Sequence, residues 1–328
     1  YQLTRMIFND PSSTPEQTAQ ALERLTKAAE AGQDCAQYAL GKIYRDGQGV
    51  EKDIQKAVAL FTLAATKENS FAAFALGKLY LAGDAALPRD PAAALKWLTY
   101  AAELGNQFAQ YRLGKLLLKG DDGIPKDVIA AIRWLTAAAK QENGYAEYAL
   151  ALVYLTGEDA PKDSVKALSL LKRSAGRGNQ FAQYRLGKLL LQGEDAPKDV
   201  KAAIRWLTAA AEQGNQYAQY ALGKLYLLGK EVPKDRSSAI KWFQLATDQG
   251  NEYAQYFLEH MDDRLGQPPV AAVISLFHHL ANIFQEQNQP PPSGGVRVAV
   301  DRKLLRKIKA KKIAQGHKAD DHEPEMQL

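Results

Sequence analysis

The segment QFAQYRLGKLLL occupies residues 107–118 and returns unchanged at 180–191. The two copies are phases of a longer rhythm. Aligned on the Leu-Gly pair, Gly41, Gly77, Gly114, Gly187 and Gly223 share one slot, with Ala151 and Glu259 taking it in two further copies, at steps of 36 or 37 residues. A period of this size marks a row of small helical units. One unit cannot bury its own apolar face, so each stacks on its neighbours. The predicted fold class is therefore all-α, a solenoid of helix-turn-helix repeats rather than two or three globular domains.

Each unit reads as two helices. The first carries Ala-x-aromatic-x-Leu-Gly, as in Ala109, Tyr111, Leu113 and Gly114. Six residues on, Gly47, Gly83, Gly120, Gly157, Gly193 and Gly229 suit a helix end that needs positive φ. A proline follows in most units (Pro88, Pro125, Pro161, Pro197, Pro233) and stops that helix. Then Asp53, Asp90, Asp127, Asp163, Asp199 and Asp235 each follow a basic residue. Repeated aspartates raise the thought of a metal or an acid catalyst. Their recurrence at every second-helix start favours capping of free backbone amides. The second helix places apolar residues such as Ala131, Ile132, Trp134, Leu135 and Ala138 on one face. Its column of Trp97, Trp134, Trp206 and Trp242 reads as core rather than as a ligand cage, because Leu60 and Leu170 replace tryptophan in other units. Glycine inside a helix costs about 1 kcal/mol against alanine. Tolerating it five times implies that the paired helix comes too close for a side chain.

Composition limits the chemistry. Cys35 is the only cysteine, which excludes an internal disulfide framework and a multi-cysteine metal site. It fits a reducing compartment, and its helix position reads as a small core hydrophobe rather than a reactive thiol. No apolar run reaches the roughly 18–20 residues that span a bilayer, so no membrane role is expected. Nothing near the start resembles a signal peptide. The chain begins at Tyr1 rather than Met, and is read as the accessory repeat region of a larger protein. The net charge is +5, but residues 296–328 hold nine Lys and Arg against five Asp and Glu. That leaves 33 against 32 before them, so the repeat body is nearly neutral.

The expected organisation is a lead-in at 1–15, repeats over 16–262, a capping helix at 263–289, a Pro/Gly-rich linker at 290–295 and a basic tail at 296–328. The cap is read from a stripe of Val273, Leu276, Phe277, Leu280, Ile283 and Phe284, since a terminal repeat exposes an apolar end. His278 and His279 are adjacent and diverge on a helix, and the tail's His317, Asp320, Asp321 and His322 lack a rigid frame. No metal site, cofactor or catalytic residue is expected, because no nucleophile, base or metal set converges.

The repeated elements, Ala-x-Tyr-x-Leu-Gly, the following Gly, Lys-Asp before the second helix, and Trp-Leu with Ala-Ala before Gly-Asn, resemble the Sel1-like repeat family, a relative of the tetratricopeptide repeat. The resemblance implies a right-handed α-solenoid that serves as a scaffold for protein partners. It also implies that first helices line the concave side. Two columns would then run along a groove: Tyr38, Phe74, Tyr111, Tyr148, Tyr184, Tyr220 and Tyr256, and beside them Lys42, Lys78, Lys115, Lys188 and Lys224, with Arg112 and Arg185 adding charge. Either the tyrosines pack between repeats and the lysines are solvated, or the strip holds an extended or helical peptide of a protein partner. A single-stranded nucleic acid is the weaker fit, because the body carries so little net charge.

A second resemblance lies in HHLANIFQEQ, PPPSGG and DRKLLRKIKAKKIAQGHKADDHE. This run is similar to the C-terminal region of Sel1-repeat-bearing relaxases, the mobilization proteins of conjugative elements. It implies a bacterial cytoplasmic setting and DNA contact through Arg302, Lys303, Arg306, Lys307, Lys309, Lys311 and Lys312. The same segment also reads as a solvated helix or tail. That family nicks DNA through a tyrosine and a histidine-held metal in an N-terminal domain. No residue of this chain matches that chemistry, so none is assigned it.

Overall fold

The computed structural model describes residues 14–120 and 123–261. The lead-in, the capping helix, the linker and the basic tail expected from the sequence fall wholly or almost wholly outside these residues. Fourteen helices follow one another with no strand among the described residues. They are α1 (Pro15–Glu30), α2 (Asp34–Asp46), α3 (Ile54–Ala65), α4 (Ser70–Ala82), α5 (Pro91–Glu103), α6 (Gln107–Lys119), α7 (Val128–Lys140), α8 (Gly144–Thr156), α9 (Ser164–Gly176), α10 (Gln180–Gln192), α11 (Val200–Glu212), α12 (Gln216–Leu228), α13 (Arg236–Asp248) and α14 (Glu252–His260). Even-numbered helices are the first helices of repeats 1 to 7 and odd-numbered ones the second helices. Each packs on the helix before and after it, making an all-α solenoid.

Sequence sets each boundary. The six aspartates cap α3, α5, α7, α9, α11 and α13, each accepting from the amide three residues on, as in Asp127 Oδ1 and Ala130 N at 2.9 Å. Asn69, Asn106, Asn143, Asn179, Asn215 and Asn251 cap the first helices in the same way. The reversal before these asparagines needs a left-handed residue. Four junctions use glycine there, whereas Glu68 and Glu142 adopt φ of 63° and 67°.

The core is a row of layers, not one centre. Phe61, Leu98, Leu135, Leu171, Leu207 and Phe243 on the second helices are fully buried. Across from them lie Leu40, Leu76, Leu113, Leu150, Leu186 and Leu222 of the first helices. Each such side chain contributes about 2 kcal/mol of burial. The tryptophans do not fill this core. Trp97, Trp134, Trp206 and Trp242 are half-buried and flank it, and the residue after each occupies the centre. The Leu-Gly glycine faces that central residue. A Cβ on Gly114 would stand 2.6 Å from Leu135 Cγ, and one on Gly187 would stand 2.7 Å from Leu207 Cγ. Both are closer than carbon atoms approach, which accounts for the five glycines.

Candidate partner-binding groove

First helices approach one another along the solenoid: α6 touches α8 and α12 touches α14. The aromatic side chains make this approach continuous. Tyr38, Phe74, Tyr111, Tyr148, Tyr184 and Tyr220 are half-buried. Each ring meets an aromatic near the start of the next first helix, namely Phe71, Phe108, Tyr145, Phe181, Tyr217 and Tyr253. Centroid separations run from 5.9 to 6.4 Å. Such tilted pairs contribute about 0.5–1.5 kcal/mol each beyond area burial. The tyrosine column therefore ties neighbouring repeats. Tyr256, at the last first helix, is 39% exposed.

Sequence reasoning missed the outer aromatics of this ladder. Their signal was present, since each first helix after the first reads aromatic-Ala-x-aromatic: FAAF, FAQY, YAEY, FAQY, YAQY and YAQY. In the first repeat the same phrase is CAQY. Cys35 thus takes the outer aromatic's slot, which explains why it is exposed rather than the core hydrophobe expected. Partial burial and Asp34 beside it push its thiol pKa up, away from reactivity.

The cations divide by position. Lys42, Lys78 and Lys115 each lie over the ring one turn earlier, 6.0, 6.0 and 5.8 Å from the centroids of Tyr38, Phe74 and Tyr111. Lys188 is exposed by surface area, yet partial desolvation and then Arg185 lower its pKa. Burial, then Lys188 and Lys230, lower that of Lys224. Burial raises the phenol pKa of Tyr148, Tyr184 and Tyr220. Arg112 and Arg185 are half-buried beside their tyrosines, each with a sealed Nε. The tail cations from Arg302 to Lys312 fall outside the described residues, so the structure does not place them.

A second missed feature braces the stack. Gln110, Gln183 and Gln219 are buried on the first helices. Each donates through Nε2 to the preceding repeat, to the carbonyls of Ala102, Ala175 and Ala211 at 3.0–3.1 Å. Each accepts through Oε1 from Gln141, Gln213 or Gln249 at 2.7–2.9 Å. Repeat 4 has Glu147 instead, fully buried. Arg173 lies 2.6 Å and Arg177 3.4 Å from its carboxylate. Arg173 also points its guanidinium at the Ala139 carbonyl, at 3.4 Å. The basic residues before the aspartate caps have work as well. Lys52, Lys126, Lys162 and Lys198 pair with Asp84, Asp159, Asp195 and Glu231 of the next repeat's loop, at 2.5–2.8 Å.

Among the described residues no group of three or more His, Cys, Asp or Glu is placed to hold a metal ion. No described helix is long and apolar enough to cross a membrane. Recurring polar residues cap helices and brace repeats, and the molecule is a helical-repeat solenoid.

The Sel1 repeat model matches six consecutive stretches, 36–69, 70–106, 107–143, 144–179, 180–215 and 216–251, and the chain belongs to the Sel1 repeat family. Proteins built of these repeats generally act as protein-interaction scaffolds. Among solved structures, the chain is similar to c5321, a protective antigen of uropathogenic Escherichia coli strains displaying an SLR fold. The two are 34% identical with a TM-score of 0.69, over 81% of this chain and 57% of that one. It is also similar to a Sel1 repeat protein from Oxalobacter formigenes, at 32% identity and a TM-score of 0.68, over 80% of this chain and 75% of that one. The chain thus spans little more than half the length of c5321. No curated protein matches it.

Proposed function

We propose that this chain is a non-catalytic scaffold that holds a segment of a partner protein against its first-helix face. The observation that carries this reading is the aromatic ladder with its flanking cations. The ladder runs through every repeat junction from Tyr38 to Tyr253 and keeps part of its outer row open, with Phe71 45% and Tyr217 49% exposed. Rigid rings beside charged side chains suit binding hot spots, because they lose little conformational freedom on contact. Photo-crosslinking tests the location. A photoreactive residue at Phe71 or Tyr217 captures the partner, and one at Ile129, exposed on α7 of the second-helix row, does not. Capture from Ile129 alone would place binding on the opposite side.

The alternative is that the chain is part of a relaxase whose basic tail contacts DNA. It is supported by the sequence of the tail alone, since the family match ends at residue 251. Its test is the salt response. Backbone binding to duplex DNA weakens steeply as salt rises and disappears when residues 302–312 are deleted.

A further inference from the structure

The outer face of the second helices is not uniform. α3 carries a single charged residue, Lys56, whereas each later second helix carries two or three. Leu63 of α3 is 52% exposed. Between α3 and α5 the surface sinks into an open hollow of about 640 Å³. Ala65 and Thr66 at the end of α3 form one side of it, and Ala92, Leu95, Trp97 and Tyr100 of α5 form the other. Trp97 and Tyr100 meet edge to face with ring centroids 6.2 Å apart, which steadies the indole. The counterparts of Tyr100 on the other second helices are Leu63, Ala137, Arg173, Ala209 and Leu245, so this ring pair belongs to repeat 2 alone.

Two charges frame the hollow, since Lys96 and Glu103 also line it. They lie seven residues apart on α5, hence on one stripe and about 10 Å apart along its axis. Both are exposed, and neither is in an ion pair among the described residues. Their spacing is too long for a pair within the helix, which forms between residues three or four apart.

We infer that this hollow is a second docking surface, for an amphipathic helix of a partner protein. That helix sets one large apolar side chain against Trp97 and Tyr100, an acid against Lys96 and a base against Glu103. The backbone groups along both walls are bonded within α3 and α5, so an extended segment finds no backbone partner there. A third helix in the valley between two others packs through side chains alone. Its turns repeat at the spacing of those in α5, so groups two turns apart on it meet Lys96 and Glu103 together. The apolar floor supplies the affinity, and the two rim charges select the sequence that covers it. This surface lies on the second-helix row and stands apart from the first-helix groove proposed above, so each can fail without the other.

The test is fluorescence anisotropy with the full chain and labelled amphipathic peptides that share one phenylalanine and differ in two flanking charges placed two turns apart. The peptide with one glutamate and one lysine binds tightest. It exceeds those with two glutamates or two lysines by about fivefold, and the margin shrinks as salt rises. Replacing the peptide's phenylalanine with alanine loses about thirtyfold. In the chain, Ala92→Trp fills the hollow from an exposed position and loses about tenfold. Glu103→Lys moves the preference to the two-glutamate peptide. Unchanged melting temperatures show that both variants fold. Failure of the mixed-charge peptide to bind, or binding that Ala92→Trp leaves intact, overturns the site. Equal affinity for the three peptides, or a preference that Glu103→Lys does not move, overturns the charge-matched partner. Self-association of the chain in sedimentation, lost in Ala92→Trp, makes a second copy the occupant and overturns the choice of partner. Crosslinking from Phe71 and Tyr217 reads the first-helix groove independently of all these outcomes.

Discussion

Repeats 3 and 5 open with the same twelve residues, and repeat 4 between them departs from both at three telling positions. It has Ala151 in the glycine slot, Glu147 in the brace and Leu152 in the lysine column. Repeats 3 and 5 close their helix pair onto Leu135 and Leu207 through glycine, whereas repeat 4 accommodates a fully buried methyl group at Ala151. Repeats 3 and 5 brace through neutral glutamine pairs and repeat 4 through a buried charge. The difference teaches that the fold fixes the geometry of a junction and leaves its chemistry open.

The largest break comes at the buried charge. Arg173→Ala leaves the Glu147 carboxylate without its nearest cation and costs about 3 kcal/mol in urea unfolding of the full chain. Adding Glu147→Gln with Arg177→Gln rebuilds the brace of repeats 3 and 5 and recovers most of that loss. A triple variant as unstable as Arg173→Ala would show that the two braces are not equivalent. Next is the glycine slot. Gly187→Val forces a side chain against Leu207 and costs about 2 kcal/mol by overpacking, and the same measurement reads it. Ala151→Gly, which removes a methyl group that repeat 4 already accommodates, costs about 1 kcal/mol through helix propensity.

A smaller effect concerns pH. Burial and Arg185 place the folded pKa of Lys188 below its unfolded value. The unfolded chain then binds more protons between the two values, so stability rises as pH climbs through that window. Lys188→Met flattens this rise, and unfolding curves collected across alkaline pH show it. The smallest change is at Glu68, which holds a left-handed conformation where four other junctions use glycine. Glu68→Gly stabilises by about 1 kcal/mol, and a higher urea midpoint reports it.

Much of this fold was legible because stacking makes every unit solve the same problem. The Asp53-to-Asp235 caps, the left-handed glycines and the crowded Leu-Gly slot all follow from recurrence plus backbone geometry, and all appear as expected. Recurrence alone does not say which of two adjacent apolar columns points inward. That is why sequence reasoning gives the tryptophans the core that Phe61, Leu98 and their counterparts hold. Cys35 is misplaced for a related reason, as its slot is defined by Phe71 and Tyr145 rather than by its own chemistry. The brace is hidden because glutamine in a helix reads as surface until the neighbouring repeat supplies a carbonyl. The tyrosine and lysine columns were visible.

The brace carries one more implication. In repeats 3, 5 and 6, the side chains that complete it sit inside a single repeat, and the contact with the preceding repeat is a backbone carbonyl. Repeat 4 keeps to this rule only in part: Glu147, Arg173 and Arg177 all lie within 144–179, but Arg177 also pairs with Glu142 of the preceding repeat at 2.9 Å. Every amino acid carries a carbonyl, so this hydrogen bond asks nothing of the predecessor's sequence. The aromatic ladder and the loop ion pairs do match side chains across the joint, so a copied block spliced beside an unlike neighbour keeps its inner coupling and has only those outer fittings to renew.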